Sequence, residues 1–465
     1  MDGYIRRVLI DDLFEEGNSY KIDLEQGCNC LFGDNGCGKT SIINLIVNSL
    51  TLNLEGLRDI PFQQITLLYA KSEQKRAHKL ISVKKTKVKT SEGIDELILH
   101  YEIHPYGISY DFNVSRVELI DRTYAPIISH FKESLSYYVK LTHVPLLRLH
   151  ESEMDYDDEL LNRALRKRKF SQRQISELLD PSVRTLVSLK KEFKEAYTEK
   201  TKVIKDELES LKSTIIEKVM IDSKVVLETS RSFALMSKAL EKQPEEINVN
   251  NYVDKFNSAN INVPIEKVKE HFGQWKALNE RHRQNWDRLS KIMNDKSVSD
   301  KERSKAESEY NKSYFNLFSL THIYNRFESI VKDVENVQKK QAKELRLFTK
   351  YEKQINKFFK NKEFSITEDG DFEIKSGARI IDIADLSSGE KHILTILGRV
   401  ALSSNETSTF IADEPELSLH LDWQRKIIPS ISALSPNTQV IVATHSPAIF
   451  DEGALEIDIE ECRIK

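Results

Sequence analysis

The sequence predicts an α/β fold built from the two ends of the chain, with a long helical insertion between them. Three observations carry that expectation. β-patterned stretches occur up to about residue 150 and again after about 360. The intervening stretch has little glycine and a charged, three-and-four spacing of apolar residues. A glycine-rich turn at 33–40 stands between a strand pattern and a helix pattern near the N-terminus.

Taken in order, residues 4–32 alternate as strands, Gly33–Thr40 form the turn, and SIINLIVNSL reads as a helix. QQITLLYA, LISVKK, ELILHYEIH and ISYDFNV then read as strands of a small sheet, separated by the turn residues SEG and PYG. After His150 comes an acidic run, ESEMDYDDE, then a basic one, RALRKRKFSQR. One apolar stripe follows Leu186, Leu189, Phe193, Tyr197, Ile204, Leu208, Leu211 and Ile215; a second runs from Leu317 to Phe348 with a period near 3.5. Two long helices so far apart in sequence suggest an antiparallel helical or coiled-coil arm, with an ordinary helical bundle as the alternative. β texture then returns: EFSITEDGDFEIK reads as a hairpin turning at Asp369-Gly370, and STFIADE and TQVIVATHS as buried strands around a helix, LDWQRKIIPSISAL. Neither end looks able to close a core alone, so residues 1–150 and 358–465 are expected to make one discontinuous domain around the insertion at 151–357.

Composition narrows the classes. Of 465 residues 39% are hydrophobic and 31% charged, and 69 basic against 73 acidic residues leave a net charge of −4. That balance excludes a wholly basic, nucleic-acid-coating protein. The four cysteines form no CxxC pair, and no apolar run approaches the roughly 18 residues of a membrane span. The opening MDGYIRRVLIDDLFEE carries acids where a signal peptide needs an apolar core, so a soluble, cytoplasmic protein without a membrane partner is expected.

GDNGCGKT (33–40) satisfies the phosphate-loop pattern in its required strand–loop–helix setting. Gly33, Gly36 and Gly38 let the backbone wrap close around a β-phosphate, and the helix N-terminus adds its dipole. Lys39 is expected to bridge β- and γ-phosphates and Thr40 to ligate Mg²⁺; Asp34, Asn35, Cys37 and Ser41 complete the nucleotide-binding set. Cys37 is either a small filler or a redox-sensitive thiol. STFIADEPELSLH places Asp413 and Glu414 at a strand end. A parallel strand beside the phosphate loop would deliver Asp413 to the metal, with Glu414 polarising the attacking water and His445 touching the γ-phosphate. A second anion-binding turn, Ser387-Ser388-Gly389 followed by Glu390, opens another helix. One γ-phosphate does not need two such turns, so this one is expected to serve a neighbour's nucleotide.

These motifs, in this order, resemble the ABC-type ATPases, and LSSGE resembles their SMC, RecF and OLD-like branch rather than transporters. DEPELSLH and ATHSP are most similar to OLD-related ATPases of anti-phage defence. The resemblance implies ATP and Mg²⁺ as cofactors and an ATP-sandwich dimer or larger homo-oligomer. In it, Ser387, Ser388, Gly389 and Glu390 face the partner's γ-phosphate and Leu417–His420 form a dimer-facing loop. It also implies a glutamine ligand to the metal, for which Gln63 is the choice and Gln64 the alternative. Arg148 is either a dimer or nucleotide contact or a structural ion-pair partner. OLD nucleases continue into a Toprim domain, whereas only about twenty residues follow His445 here. The resemblance therefore points to the ATPase subunit of a two-gene system, PARIS (AriA) first and Septu (PtuA) second. It implies a separate effector nuclease, Toprim or HNH, and a phage-encoded trigger protein. A RecF- or SMC-like DNA-repair or chromosome-organising ATPase is the alternative. Basic stretches at Lys71–Lys89 and Arg163–Arg173 meet either DNA phosphates or solvent.

Overall fold

The computed structural model describes residues 3–71, 76–89, 95–115, 117–144, 180–219, 249–258, 261, 263–295, 297–403, 408–450 and 453–464. Arg148, Lys75 and the charged runs between 151 and 173 lie outside these residues. The chain divides into two compact units, Met1–Tyr197 with Leu347–Lys465, and Thr198–Arg346. The division falls at 197 and 347 rather than at the sequence-expected 150 and 357.

The first unit contains a parallel five-stranded sheet in the order β14-β3-β13-β12-β8. Its strands are β3 (Cys28–Phe32), β8 (Lys140–Val144), β12 (Ser408–Asp413), β13 (Gln439–Ala443) and β14 (Leu455–Asp458). All four pairings are parallel, and they interleave strands from both ends of the chain. β12 and β13 are buried along their whole length, which is why they read as unbroken apolar runs. The strand carrying Asp413 is not paired directly with the phosphate-loop strand β3, because β13 lies between them. Adjacency is a topological property, and the apolar pattern is the same for either order.

A seven-stranded antiparallel sheet has the order β15-β2-β1-β4-β5-β6-β7. It is formed by β1 (Gly3–Asp11), β2 (Ser19–Asp23), β4 (Gln64–Lys71), β5 (His78–Lys89), β6 (Asp95–Ile103), β7 (Ile108–Asn113) and β15 (Arg463–Ile464). Its inner face packs with helix α1 (Lys39–Thr51) into one continuous apolar core, which includes Ile5, Ile43, Leu67, Tyr101 and Ile441. The amide of buried Gln439 ties the two sheets together. It accepts from Ile5 N at 2.9 Å and donates to the carbonyls of Ile5 (2.7 Å) and Glu25 (2.9 Å).

Lys85, one residue of the basic stretch on this sheet, is not a surface cation. Its ammonium caps the C-terminal end of α2 (Leu54–Asp59), donating to Leu57 O (3.2 Å), Arg58 O (2.5 Å) and Ile60 O (2.8 Å). Burial drives its pKa down from 10.5 to about 8, against the pull of Asp59. Between those two values the unfolded chain holds the proton and the folded one does not, so the contribution of Lys85 to stability grows as pH rises from 8 and is lost below it. The Tm difference between wild type and Lys85→Met is therefore expected to move in favour of wild type between pH 8 and pH 10. Parallel melting curves across that range check it; a flat difference rejects the depressed pKa.

Among the described residues, the middle of the chain contributes helices α3 (Val117–Ser136), α4 (Pro181–Val219), α5 (Val249–Ser258), α6 (Ile265–Asn294) and α7 (Asp300–Glu344). The first turns of α4 belong to the first unit. There Phe193 stacks at 4.7 Å on Tyr351 of α8 (Arg346–Ile355), and Leu189 fills the space over Gly398 of α9 (Ser388–Ser403). The apolar stripe starting at Leu186 therefore serves two cores.

Within the second unit, the rest of α4 runs antiparallel to α7. Ion pairs Lys200–Glu344 (2.9 Å) and Lys340–Glu207 (2.9 Å) set the register. Leu211 meets Val331, Val334 and Val337 in a cluster that also takes Phe256 from α5. α6 packs on the first half of α7, with Arg288–Glu309 at 2.7 Å and buried His282 against Ser313 Oγ at 3.2 Å. Among the described residues of this unit, α7 therefore pairs antiparallel with α6 along its first half and with α4 along its second, and α5 packs where the two pairings meet. The predicted hairpin forms as β9 (Glu363–Ile366) and β10 (Phe372–Ser376), with Gly370 at φ 77° in its turn. Among the described residues no helix is long and apolar enough to cross a membrane.

Candidate nucleotide site

β3 delivers the glycine-rich loop to the N-terminus of α1. Gly33, Gly36 and Gly38 have φ of 149°, 85° and 96°, a backbone path that side chains with a Cβ resist. Cys37 N–H donates to Asp34 O at 3.3 Å, closing the turn, while Asp34, Asn35 and Gly36 are exposed at its mouth. The Lys39 ammonium, only 5% exposed, lies inside the loop and donates to Gly33 O (2.8 Å) and Asp34 O (3.0 Å). Cys37 Sγ sits 3.6 Å from the same nitrogen and against Gly33, so the thiol packs the underside of the loop. Ser41 is half-buried in the first turn of α1.

Although β12 is two strands away from β3, it brings Asp413 to the loop. The Thr40 hydroxyl donates to the Asp413 carboxylate, joining the two expected metal ligands. Burial raises the Asp413 pKa, Thr40 opposes it, and the carboxylates of Glu414 and Glu416 raise it further. A hydroxyl and a carboxylate brought together beside the phosphate loop are the hard oxygen donors that Mg²⁺ takes along with water and phosphate oxygens, so Thr40 and Asp413 fit Mg²⁺. Glu414 takes the left-handed φ of 45° and is pinned by its N–H to Ala443 O at 2.8 Å. His445 Nε2 lies 3.9 Å from Glu414 Oε1. Beside the loop a cleft of ≈ 340 Å³ opens, bounded by Gly33, Asp34, Thr444, His445 and Phe450.

Gln63 does not join this group. Its side chain is exposed, and its backbone is held in the antiparallel sheet between Asp11 O and Lys85 N–H. The Gln64 amide is directed to Thr66 Oγ1 at 3.3 Å. A β-strand position with the right side chain is not enough when the strand belongs to the other sheet.

The Ser-Ser-Gly turn is organised differently from a bare anion nest. Ser387 Oγ accepts from Glu390 N (3.3 Å), and Glu390 Oε2 accepts from Ser387 N (2.8 Å), which is a capping box at the start of α9. Burial raises the Glu390 pKa, but Lys362 at 2.8 Å and the Ser387 donors outweigh it, so this carboxyl stays below its ordinary range. Glu390 therefore works as a helix cap and ion pair, while Ser387 and Ser388 remain exposed. Gly389 is buried, with space only for hydrogen: a Cβ there would meet Ser418 O at 2.7 Å.

Four contributors escaped sequence reading. Glu416 is 7% exposed, and its Oε1 accepts from Thr444 Oγ1 (2.6 Å), His445 N (2.9 Å) and Ser446 N (3.2 Å). Gln424, on α10 (Leu421–Leu434), donates to Leu419 O at 3.0 Å and accepts from Ser446 Oγ at 2.7 Å. His392 Nε2–H donates to Pro415 O at 2.9 Å; burial lowers its pKa, so it stays neutral. Together these three lock the Glu416–Leu419 loop to α9 and to the histidine loop. Glu416 lies inside the quoted DEPELSLH and His392 two residues after LSSGE, but their bonding partners are 28–30 and 23 positions away in sequence. Phe14, at φ 68° and 46% exposed, brings its ring against Gly38, a platform signalled only by an apolar residue in an acidic turn.

A parallel sheet threaded by both chain ends, a glycine loop capping α1, and a separate capped helix behind a Ser-Ser-Gly turn define an α/β head of the P-loop nucleotide-binding class. Comparison with known proteins finds similarity over parts of the chain. Residues 258–451 match the family described as "AAA domain, putative AbiEii toxin, Type IV TA system". The chain is 36% identical over 80 residues to the "Retron Ec83 probable ATPase" of Escherichia coli, and 32% identical over 88 residues to the "Retron Vc95 probable ATPase" of Vibrio cholerae serotype O1 biovar El Tor. These matches span 15% and 17% of this chain and the same shares of the relatives. Among solved structures, the Pyrococcus furiosus Smc head bound to the C-terminal domain of ScpA aligns over 96% of this chain and 91% of its own, at 15% identity and a TM-score of 0.36.

Proposed function

We propose that this chain binds and hydrolyses ATP, and that nucleotide occupancy sets its contacts with a second copy and with a separate effector nuclease of an anti-phage defence complex. The observation that carries the ATPase reading is the convergence of Lys39, Thr40, Asp413, Glu414 and His445 on one loop from three strand ends. Lys39 and the loop N–H groups hold the phosphates. Thr40 and Asp413 hold Mg²⁺, which neutralises charge on the phosphate oxygens when bound. Glu414 accepts a proton from water positioned at the γ-phosphate, and His445 donates to that phosphate. The exposed Ser387, Ser388 and Ser418 present themselves to a second copy.

The defence role is supported by the OLD-like form of DEPELSLH and ATHSP and by the partial similarity to two retron probable ATPases. Isolation of the chain together with its genomic neighbours tests it: a complex containing a nuclease is expected, and a free monomer with and without ATP rejects it. The RecF/SMC-like reading is favoured by one observation, the 39- and 45-residue helices α4 and α7, and it expects loss of DNA repair rather than loss of immunity on deletion.

Glu414→Gln is expected to keep ATP binding and to slow hydrolysis by about 10²–10⁴-fold, the usual worth of a general base. Nucleotide-bound assemblies should then accumulate on size-exclusion chromatography. Phosphate release at the wild-type rate in this variant would remove Glu414 from the mechanism.

A further inference from the structure

At the far end of β1 from Phe14, roughly 25 Å away along the strand, the antiparallel sheet carries a group of tyrosines with no part in the nucleotide site. Tyr138, in the turn after α3, is ringed by Tyr69 (5.2 Å between centroids), Tyr106 (5.5 Å) and Tyr137 (5.4 Å), each edge-on to it. Tyr69 comes from β4, Tyr106 from the β6–β7 turn and Tyr137 from the turn that leads into β8. Three separate segments thus build one aromatic corner. Tyr106 is 45% and Tyr137 54% exposed, so their outer faces meet solvent, while a hydrogen bond between the Tyr106 and Tyr138 side chains fixes the arrangement. His78 is the cross-strand partner of Tyr69, with its ring 6.0 Å away.

Cations lie at the same corner. Lys71 follows Tyr69 at the two-residue spacing that puts both on one face of β4. Arg76 stands two residues before His78, and both Lys71 and Arg76 are exposed. Rings of this kind offer π-faces to bases of any identity, and lysines and arginines match a phosphate backbone. Stacking needs unpaired bases, since a duplex hides their faces within its own stack.

We propose that this corner, Tyr69, Tyr106, Tyr137 and Tyr138 with Lys71 and Arg76, binds single-stranded nucleic acid by base stacking and phosphate contact. Because it stands apart from the phosphate loop, its success or failure is independent of the ATPase reading.

The test is fluorescence anisotropy of the full chain with fluorescein-labelled oligo(dT) of about 15 nucleotides, long enough to cover one such platform. Saturable binding is expected at low salt, weakening steeply as salt rises, and a duplex of equal length should compete poorly. The double variant Tyr106→Ala/Tyr137→Ala should lose on the order of tenfold or more in affinity. Tyr106→Phe/Tyr137→Phe should stay close to wild type, and Lys71→Ala should reduce the salt slope by about one. Binding of a fluorescent ATP analogue should be unchanged in all of these, which shows that they fold. Absence of saturable binding at low salt, an alanine pair that binds like wild type, or equal competition by duplex overturns the proposal. So does an alanine pair that alters the oligomeric state while oligo(dT) binding persists, since that outcome makes the corner a protein interface.

Discussion

Lys39→Met is expected to abolish measurable nucleotide binding while leaving the fold intact. The Lys39 ammonium is almost wholly buried and donates to Gly33 O and Asp34 O within the loop. Those carbonyls hold the cation in place until phosphate oxygens compete for it. Hydrogen bonds to a charged group are worth about 1.5–3 kcal/mol net each, so losing one or two of them weakens nucleotide binding by on the order of 10–10⁴-fold. Methionine keeps the apolar stem and its packing against Cys37. Wild type should gain Tm on adding MgATP and the variant should not, with similar melting temperatures in the absence of nucleotide. An ATP-dependent shift of wild-type size in the variant would refute the assignment of the phosphate loop.

Glu416→Ala is expected to have the second-largest effect, although Glu416 touches neither phosphate nor metal in the proposed mechanism. One carboxylate oxygen gathers a hydroxyl and two backbone N–H groups from Thr444, His445 and Ser446, tying the end of β13 to the loop after β12. Alanine would leave these donors unpaired in a buried setting, at a cost of about 3–5 kcal/mol. His445 would also lose the anchor that holds it near Glu414. A lower Tm and at least tenfold slower hydrolysis should follow. Glu416→Gln retains the accepting oxygen and should restore most of the rate, which a general loss of packing would not allow. Removing this charge also relieves the repulsion that raises Asp413, so the acid limb of the ATPase pH profile should move to lower pH in Glu416→Gln. Wild-type kinetics and an unmoved profile in both variants would show that Glu416 does not position the histidine.

The phosphate loop was legible because its chemistry is local: eight consecutive residues supply glycine torsions, ammonium and hydroxyl, and strand and helix patterns flank them. Asp413, Glu414 and His445 were legible as strand ends for a similar reason, since fully buried parallel strands write continuous apolar runs. Gln63 was not, because every glutamine near a strand looks alike until its sheet is known. Glu390 looked like part of an anion site, yet serine three residues before a glutamate is also the signature of a capping box, and that is the bond it makes. Lys85 read as one more surface lysine; the carbonyls it caps come from a helix 25 or more residues earlier.

What the sequence determined by itself, then, is whatever short-range order can encode: an α/β head split around helices, a phosphate loop, and acids and a histidine at strand ends. The tertiary structure decided which strands are neighbours. It placed β13 between the phosphate-loop strand and the Asp413 strand, divided the α4 stripe between two cores, and turned Glu416 into the hinge pin of the histidine loop. The physical reason is the same in each case. Hydrophobic periodicity reports that a face is buried, but a hydrogen bond or a strand pairing between distant residues depends on what the fold sets opposite that face.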